Sequence, residues 1–424
     1  MRLINQSQEQ RQMKKKYLLS AISLLVASHA AYGQKTWTLQ ECFDYALNNN
    51  IQLQQKKIAA ASSHEDVLQS KSALFPSISF NTNQNVSWRP FAETTINLTN
   101  GSMTTNRNTV SYNGSYGINA NWTVWNGNRN INNIKQNKLS EEIATLEVEQ
   151  QMNSIQEQIA QLYVQILYET DAVNVCKEII KSSEMQRDRA QKMVELGSLA
   201  RVDLVQLEAQ VSQDHYSLAQ AESQLANYKL QLKQLLEIHD NEPFNIVIPN
   251  LPEENIFSTI PDEQSVYNAA LANRPEIQSS KLNVASSEIA IASARAGYMP
   301  TVSLTVGMGS NNSSGQNTAF TEQIKKNLSN SIGLTVAMPI FDNLQTRTNI
   351  RKAKYTHQTN MLNLQSQQKQ LYSTIENCWL NATTSLRPYQ AAQANVARMP
   401  DSYDPVSEQS TPGLKTIVQL TPRK

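Results

Sequence analysis

The side chains best suited to chemistry are few and scattered in this chain. Three cysteines (Cys42, Cys176, Cys378) and five histidines occur in 424 residues. A catalytic or metal-holding cluster needs such groups at short, defined spacings. Here the cysteines are odd in number and far apart, so they predict neither a disulfide framework nor a metal cluster. His64, His215 and His239 fall on polar helical stretches, where solvated imidazoles are expected. No Walker loop, G-x-G-x-x-G, HExxH or C-x-x-C motif is present. A net charge of +1 argues against a nucleic-acid partner. The residues therefore read as a protein that is not an enzyme and carries no cofactor, whose function lies in its surfaces.

The N-terminus gives those surfaces a location. Lys14-Lys15-Lys16, the apolar run from Tyr17 to Ala27 and the small-residue site Ala31-Tyr32-Gly33 predict a secretory signal over residues 1–33. Met13 is a natural alternative start, and Gln34 begins the mature chain. Cys42 lies too far beyond that site to carry a lipid anchor. No later stretch approaches the ~20 apolar residues of a membrane helix, and mean hydropathy is −0.48. An exported chain of this kind is either soluble or a β-barrel, whose alternating strands keep hydropathy low.

Two periodicities share the chain. From Leu204 to Leu235, the residues Leu204, Leu207, Val211, Asp214, Leu218, Ala221, Leu225, Tyr228, Leu232 and Leu235 step by three and four, which predicts a coiled-coil seam. Asp214 on that seam either sets the register or marks where it loosens. Asn128–Leu196 holds no Pro or Gly, and at 1.5 Å per residue predicts a helix of roughly 100 Å. Val110–Val124, in contrast, alternates with period two, with Gly114 as the exception among its apolar positions. Ile78–Trp88 (interrupted by Thr82 and Gln84), Val302–Met308 and Ile332–Ile340 repeat that strand pattern. A soluble sandwich would alternate in the same way. Uncharged polar faces, strand length, the export signal and Trp88, Trp122 and Trp125 as an aromatic girdle favour a barrel. The Asn-, Thr- and Ser-rich stretches Arg89–Thr109 and Ser310–Ser331 are then long outer loops.

The chain also contains its first half twice. Leu74–Phe80 matches Tyr298–Leu304, and Ala46-Leu47 matches Ala270-Leu271, both at an offset of 224. Trp125-Asn126-Gly127 matches Phe341-Asp342-Asn343, and Leu196-Gly197 matches Pro412-Gly413, both at 216. Pro76 and Pro300 stand where a helix must stop and a strand begin. The expected fold is mainly α with membrane β, in two repeats over 34–255 and 256–424. Four strands cannot close a cylinder in hydrocarbon, where every backbone group needs a partner. Three copies would supply twelve strands.

With these elements in place, the chain resembles the TolC family of outer-membrane efflux proteins over about residues 36–424. The resemblance rests on Leu39-Gln40-Glu41-Cys42 with Ala46-Leu47 and Asn50, the two proline-led strands, Trp125-Asn126-Gly127 and Leu196-Gly197-Ser198. It implies a homotrimer with a barrel in the outer membrane of a Gram-negative bacterium and a helical tunnel in the periplasm. It further implies docking to a periplasmic adaptor and an inner-membrane pump, and passive export for efflux or type I secretion. The tip that would meet the adaptor is Leu196, Gly197, Ser198, Leu199 and Ala200, with Gly413 as the second-repeat counterpart. Gly197 serves equally as a helix C-cap. Asp203 matches a gating position, or is a helix N-terminal acid favoured by the macrodipole. Gln419 stands where the family often has an acidic gate residue. The second repeat ends eleven residues after Gly413 and carries Pro388, Pro400, Pro405, Pro412 and Pro422 in or beside the segment that should be a long helix, so either the chain is truncated and drifted or this end is not folded like its counterpart. Two alternatives follow: a periplasmic coiled-coil adaptor, or a truncated, non-functional channel remnant.

Overall fold

A computed structural model describes residues 36–90, 95–99, 102–106, 110–239, 244–249, 260–316 and 318–410. The export signal, Gly413, Gln419, Pro412 and Pro422 lie outside the described residues. The chain divides into two units. One gathers the described residues up to Lys57 with those of Glu149–Ile256, and the other gathers Ile58–Val148 with those from Phe257 onward.

The first unit is organised by helices. β1 (Thr36–Trp37) pairs in parallel with β6 (Asn245–Ile246), and α1 (Leu39–Asn49) follows. Thr38 and Glu41 form a reciprocal capping box at its start, with N–H to side-chain distances of 3.2 and 2.8 Å. Only Asn50 separates α1 from α2 (Ile51–Ser72). Its extended backbone stops one helix, and its side chain accepts the Leu53 N–H (3.1 Å) while donating to the Leu235 carbonyl (3.1 Å). A single buried amide thus ends α1, starts α2 and ties both to the end of α4 (Arg201–Leu235).

The 67-residue helix α3 (Arg129–Glu195) and the 35-residue α4 form the long hairpin of this unit. All ten expected seam residues of α4 are buried or half-buried, and every other residue from Arg201 to Asn227 is exposed. Asp214 is 5 % exposed and accepts a 2.8 Å hydrogen bond from Gln210 Nε2, so the seam stays closed around it. On α3, Ile155, Ile159, Ile166, Val173 and Ile180 are buried at matching spacing. Lys177–Glu222 (3.8 Å) and His215–Glu184 (3.6 Å) add exposed links between the two rods; such pairs contribute little. Burial of the stripe holds the hairpin.

The second unit carries the sheet. β2 (Ser77–Trp88), β5 (Val110–Trp125), β7 (Thr301–Ser313) and β8 (Ser329–Ala337) lie in the order β2-β5-β7-β8, each neighbour antiparallel. β8 ends three residues before the expected Ile340, because Pro339 has no N–H to donate to a ladder. β7 runs five residues past the expected Met308, since its polar end still pairs with β5 up to Asn113↔Ser313. The two loops are correspondingly not bare. The first contains the hairpin β3 (Thr95–Thr99) and β4 (Ser102–Asn106), and the second contains the short helix α7 (Phe320–Lys326). The helices here are α5 (Glu263–Asn273), α6 (Pro275–Arg295) and the 66-residue α8 (Gln345–Ser410). Over the described residues this end is folded like its first-repeat counterpart, as one long helix. α8 passes Pro388, Pro400 and Pro405 without interruption, and its remaining i→i−4 bonds outweigh the missing proline donors locally.

The duplication extends to single hydrogen bonds. Lys57 Nζ donates to Leu47 O (3.1 Å), and Lys281 Nζ donates to Leu271 O (3.4 Å). Gln54 to Asn48 O (2.9 Å) recurs as Gln278 to Ala272 O (3.0 Å). Tyr163 Oη lies 3.3 Å from the Trp37 carbonyl oxygen, and Trp379 Nε1 lies 3.3 Å from that of Pro261. At the strand-to-helix turn, Gly127-Asn128 and Asn343-Leu344 each place two successive residues at positive φ. Asn126 and Asp342 then accept the N–H of Asn130 (3.2 Å) and Thr346 (2.8 Å) respectively. The sharp reversal is therefore built twice from different residues.

Candidate functional site

The sheet presents two unlike faces. Cross-strand partners put Ile78, Phe80, Ala120, Ile118, Val306, Met308, Ile332, Leu334 and Val336 on one face. Most of these side chains are wide open in the single chain; Ile332 is 78 % exposed. The opposite face holds Ser79, Asn81, Asn83, Asn119, Asn121, Thr305, Gly307, Ser331 and Gly333. None of the four strands contains a charged residue. Burying an Ile, Leu or Phe side chain is worth about 1.5–3 kcal/mol, so the greasy face demands a non-aqueous neighbour. These four strands form one sheet, and among the described residues no other sheet makes extensive contact with it. The outer edges of β2 and β8 carry no ladder partner among the described residues, and such edges template pairing with further strands.

Toward one end the greasy face is interrupted by a polar patch, beyond which Val86, Trp88 and Val110 are again apolar and exposed. Thr82, Gln84, Tyr112, Gly114, Tyr116 and Asn312 share the patch by register. A Cβ at Gly114 would stand 2.2 Å from Asn312 Oδ1 and 2.7 Å from Gln84 Oε1. That close approach is why glycine interrupts the alternation of β5. The Tyr112 hydroxyl donates to Gln84 Oε1, while Asn312 Oδ1 is buried with no partner among the described residues. Helix α7 lies over this end. Its Phe320 meets Tyr116 edge-on at 6.1 Å, and the Ile324 carbonyl accepts from Ser310 Oγ (2.7 Å). The buried Gln323 Oε1 accepts the Ser313 N–H at 2.8 Å. The interruptions at Thr82, Gln84 and Gly114 were the available signal for this patch, which the strand periodicity alone did not bring together.

The other expected site residues are spread over the two units. Trp88 stands at one end of β2 and is 72 % exposed. Trp122 and Trp125 stand at the opposite end of the sheet, and Trp122 Nε1 donates to Leu74 O at 2.8 Å. Pro76 and Pro300 each stand immediately before the first residue of a strand, in the short connection that follows a helical segment. At the hairpin tip, Ser198 N bonds Met193 O (2.9 Å) and Gly197 N bonds Val194 O (3.0 Å) around Gly197 at φ +75°. This is a Schellman motif. Leu196 and Ser198 project into solvent there, Leu199 is half-buried, and Ala200 leads into α4. Asp203 occupies the exposed first turn of α4, its N–H bonded to Ala200 O (3.0 Å).

Two of the described histidines in the second unit meet single partners. His64 Nδ1 lies 2.7 Å from Glu141 Oε1, and His357 Nδ1 lies 3.0 Å from Ser287 Oγ. Among the described residues no three His, Cys, Asp or Glu side chains converge to hold a metal ion. No described helix is long and apolar enough to cross a membrane. Burial raises the pKa of the Tyr163 phenol, with Cys42 and Glu41 adding to the effect. Hydrogen bonds from the Thr346 side chain and backbone hold the Asp342 carboxyl below its ordinary value.

Comparison with known proteins bears on this arrangement. The sequence profile of the family described as outer membrane efflux protein matches residues 43–237 and 266–422. The chain is similar in structure to CusC, with a TM-score of 0.73 and 15% identity over 92% of this chain and 87% of that one. It is similar to the Campylobacter jejuni CmeC outer membrane channel, with a TM-score of 0.75 and 19% identity over 90% and 78%. For the outer membrane protein VceC of Vibrio cholerae the values are 0.70 and 13% over 90% and 88%. Among curated protein sequences none matches significantly. At these identities the structural likeness concerns the fold.

Proposed function

The chain belongs to the outer membrane efflux protein family, and from that premise we propose that three copies close one twelve-stranded barrel in the outer membrane. The single observation that carries this is the four-stranded sheet with an exposed greasy face and two open edges. Lipid covers the face, and β2 of one copy pairs with β8 of the next, so no backbone group is left bare in hydrocarbon. The uncharged Asn/Ser/Thr face then lines a wet lumen, through which solutes pass without chemistry. α3, α4 and α8 extend the duct into the periplasm.

Energy comes from elsewhere in this reading. The hairpin tip, Leu196 to Ala200, docks a periplasmic adaptor that links the duct to an inner-membrane pump. Support comes from Leu196, 82 % exposed on a rigid Schellman turn. Cross-linking in isolated outer membranes, read by gel, should give a ladder ending at three chains. A chain that fractionates as a soluble monomer overturns the proposal. Leu196→Asp should abolish export in a strain that depends on this duct, while the amount of assembled protein is unchanged.

A further inference from the structure

The polar patch toward one end of the outer sheet face, together with α7, has the composition of a lipid headgroup site. β2, β5, β7 and β8 are free of charge along their whole length. In sequence, the first charges beyond them at this end are Arg89, immediately after Trp88, Arg107, three residues before Val110, and Glu322, Lys325 and Lys326 on α7. Lys326 Nζ is committed to Glu322 at 2.8 Å, whereas Lys325 is exposed with no ion-pair partner among the described residues. On the same short segment Phe320 and Leu328 are more than half exposed. Phe320 of α7 packs on the ring of Tyr116, and the same sheet face continues through the Tyr112 hydroxyl, the Gln84 amide and Asn312, the last 8 % exposed with its Oδ1 unpartnered among the described residues. Tyrosine and tryptophan with one wet end collect at the level of lipid headgroups. Basic side chains at that level gain from anionic headgroups, and their stems can lie along apolar surface while the ammonium reaches the phosphate.

We propose that α7 and the polar patch at Gln84, Tyr112, Tyr116 and Asn312 bind phosphate-bearing lipid headgroups of the outer leaflet, with Lys325 as the main phosphate contact. The proposal rests on the sheet being a membrane barrel. Phe320 and Leu328 dip into the acyl boundary, Lys325 pairs with the phosphate, and the exposed Tyr112 hydroxyl and Gln84 amide are offered to the headgroup. α7 thereby fixes the height of the sheet in the bilayer, where the charge-free strands by themselves provide no such stop.

The full chain would be inserted into vesicles of phosphatidylcholine mixed with phosphatidylglycerol, and the retained lipids counted by native mass spectrometry. The wild type should retain the anionic lipid in preference. That preference should fall about fivefold in Lys325→Gln and vanish in Lys325→Gln/Lys326→Gln, at roughly fivefold per neutralised lysine near a surface. Lys354→Gln on the exposed side of α8 should leave it unchanged. An unchanged preference in the double variant overturns the lipid site and leaves the barrel reading standing. Displacement of the lipid by inorganic phosphate at constant ionic strength would identify a soluble-anion site instead, and also overturns it. A chain that never inserts overturns both readings.

Discussion

The far half of α3 and the far half of α8 are repeat equivalents with opposite surroundings. In α3, Ile166, Val173 and Ile180 are at most 7 % exposed, covered by the seam of α4. At the offset of 216 their counterparts in α8 are Ala382, Tyr389 and Val396, all exposed, with Val396 at 66 %. Both helices carry a usable stripe; in α8 it runs Leu371, Ile375, Ala382, Leu386, Tyr389, Ala392 and Val396. Leu371 is buried and Ile375 half-buried, but from there to Arg398 only Thr383 and Leu386 are even half-covered. The difference teaches that a heptad pattern specifies the ability to pack, while burial belongs to whatever helix lies opposite. It also explains where proline is tolerated. α3 holds none, whereas Pro388 sits in the bare half of α8, where little tertiary packing depends on an undisturbed helix.

The largest test of this comparison is a pair of truncations. Ile166→Ala should cost about 2–5 kcal/mol in denaturant unfolding, as for other buried aliphatic side chains, and Val396→Ala under about 0.5 kcal/mol. If Val396→Ala in the assembled protein costs as much as Ile166→Ala, another copy covers α8 and the contrast exists only in the single chain. Next comes Pro388→Ala, which restores a helical N–H under the Thr384 carbonyl. It should raise the local opening free energy by up to about 3 kcal/mol, seen as slower amide exchange around residues 384–392. A change in exchange around Ile166 as well would show that the two halves unfold together.

The hairpin turns sharpen the comparison at smaller cost. Gly197→Ala meets no atom within 4 Å, so its penalty is purely that of the left-handed backbone, about 1–2 kcal/mol in thermal unfolding. Glu237 adopts φ 57° in a like turn after α4, with Ile238 N bonded to Lys233 O. Glu237→Gly should therefore gain about 1 kcal/mol. The smallest effect is at Asp342. Its pKa is lowered in the folded state, so its stabilisation is present above the ordinary carboxylate range and is lost as pH falls through the lowered value. Asp342→Asn, which copies Asn126 of the first repeat, should flatten that acid-side loss in a pH series of melts and leave neutral stability nearly unchanged.

Much of this was legible in the chain itself. The seam of α4 was visible because its ten positions have to face one neighbour at a fixed 3.5-residue step, and burial confirms each. The strands were visible because their two faces meet different media. The repeat was visible in offsets of 224 and 216, which the paired hydrogen bonds of Lys57 and Lys281 follow. Other features were hidden because their causes are distant in sequence. Gly114 is required by Asn312, some two hundred residues away, and Gln323 of α7 answers a free N–H at Ser313. The continuity of α8 past its prolines was hidden because a breaking cost per residue says nothing of the bonds that remain.

Local periodicity and turn chemistry thus determined which segments are rods, which are ribbons, and that the plan is used twice, since these depend on neighbours within a few residues. Only the tertiary structure decided which stripe is covered, why one glycine stands on a greasy face, and where a short charged helix meets the sheet. Those depend on contacts between segments that the chain brings together only by folding.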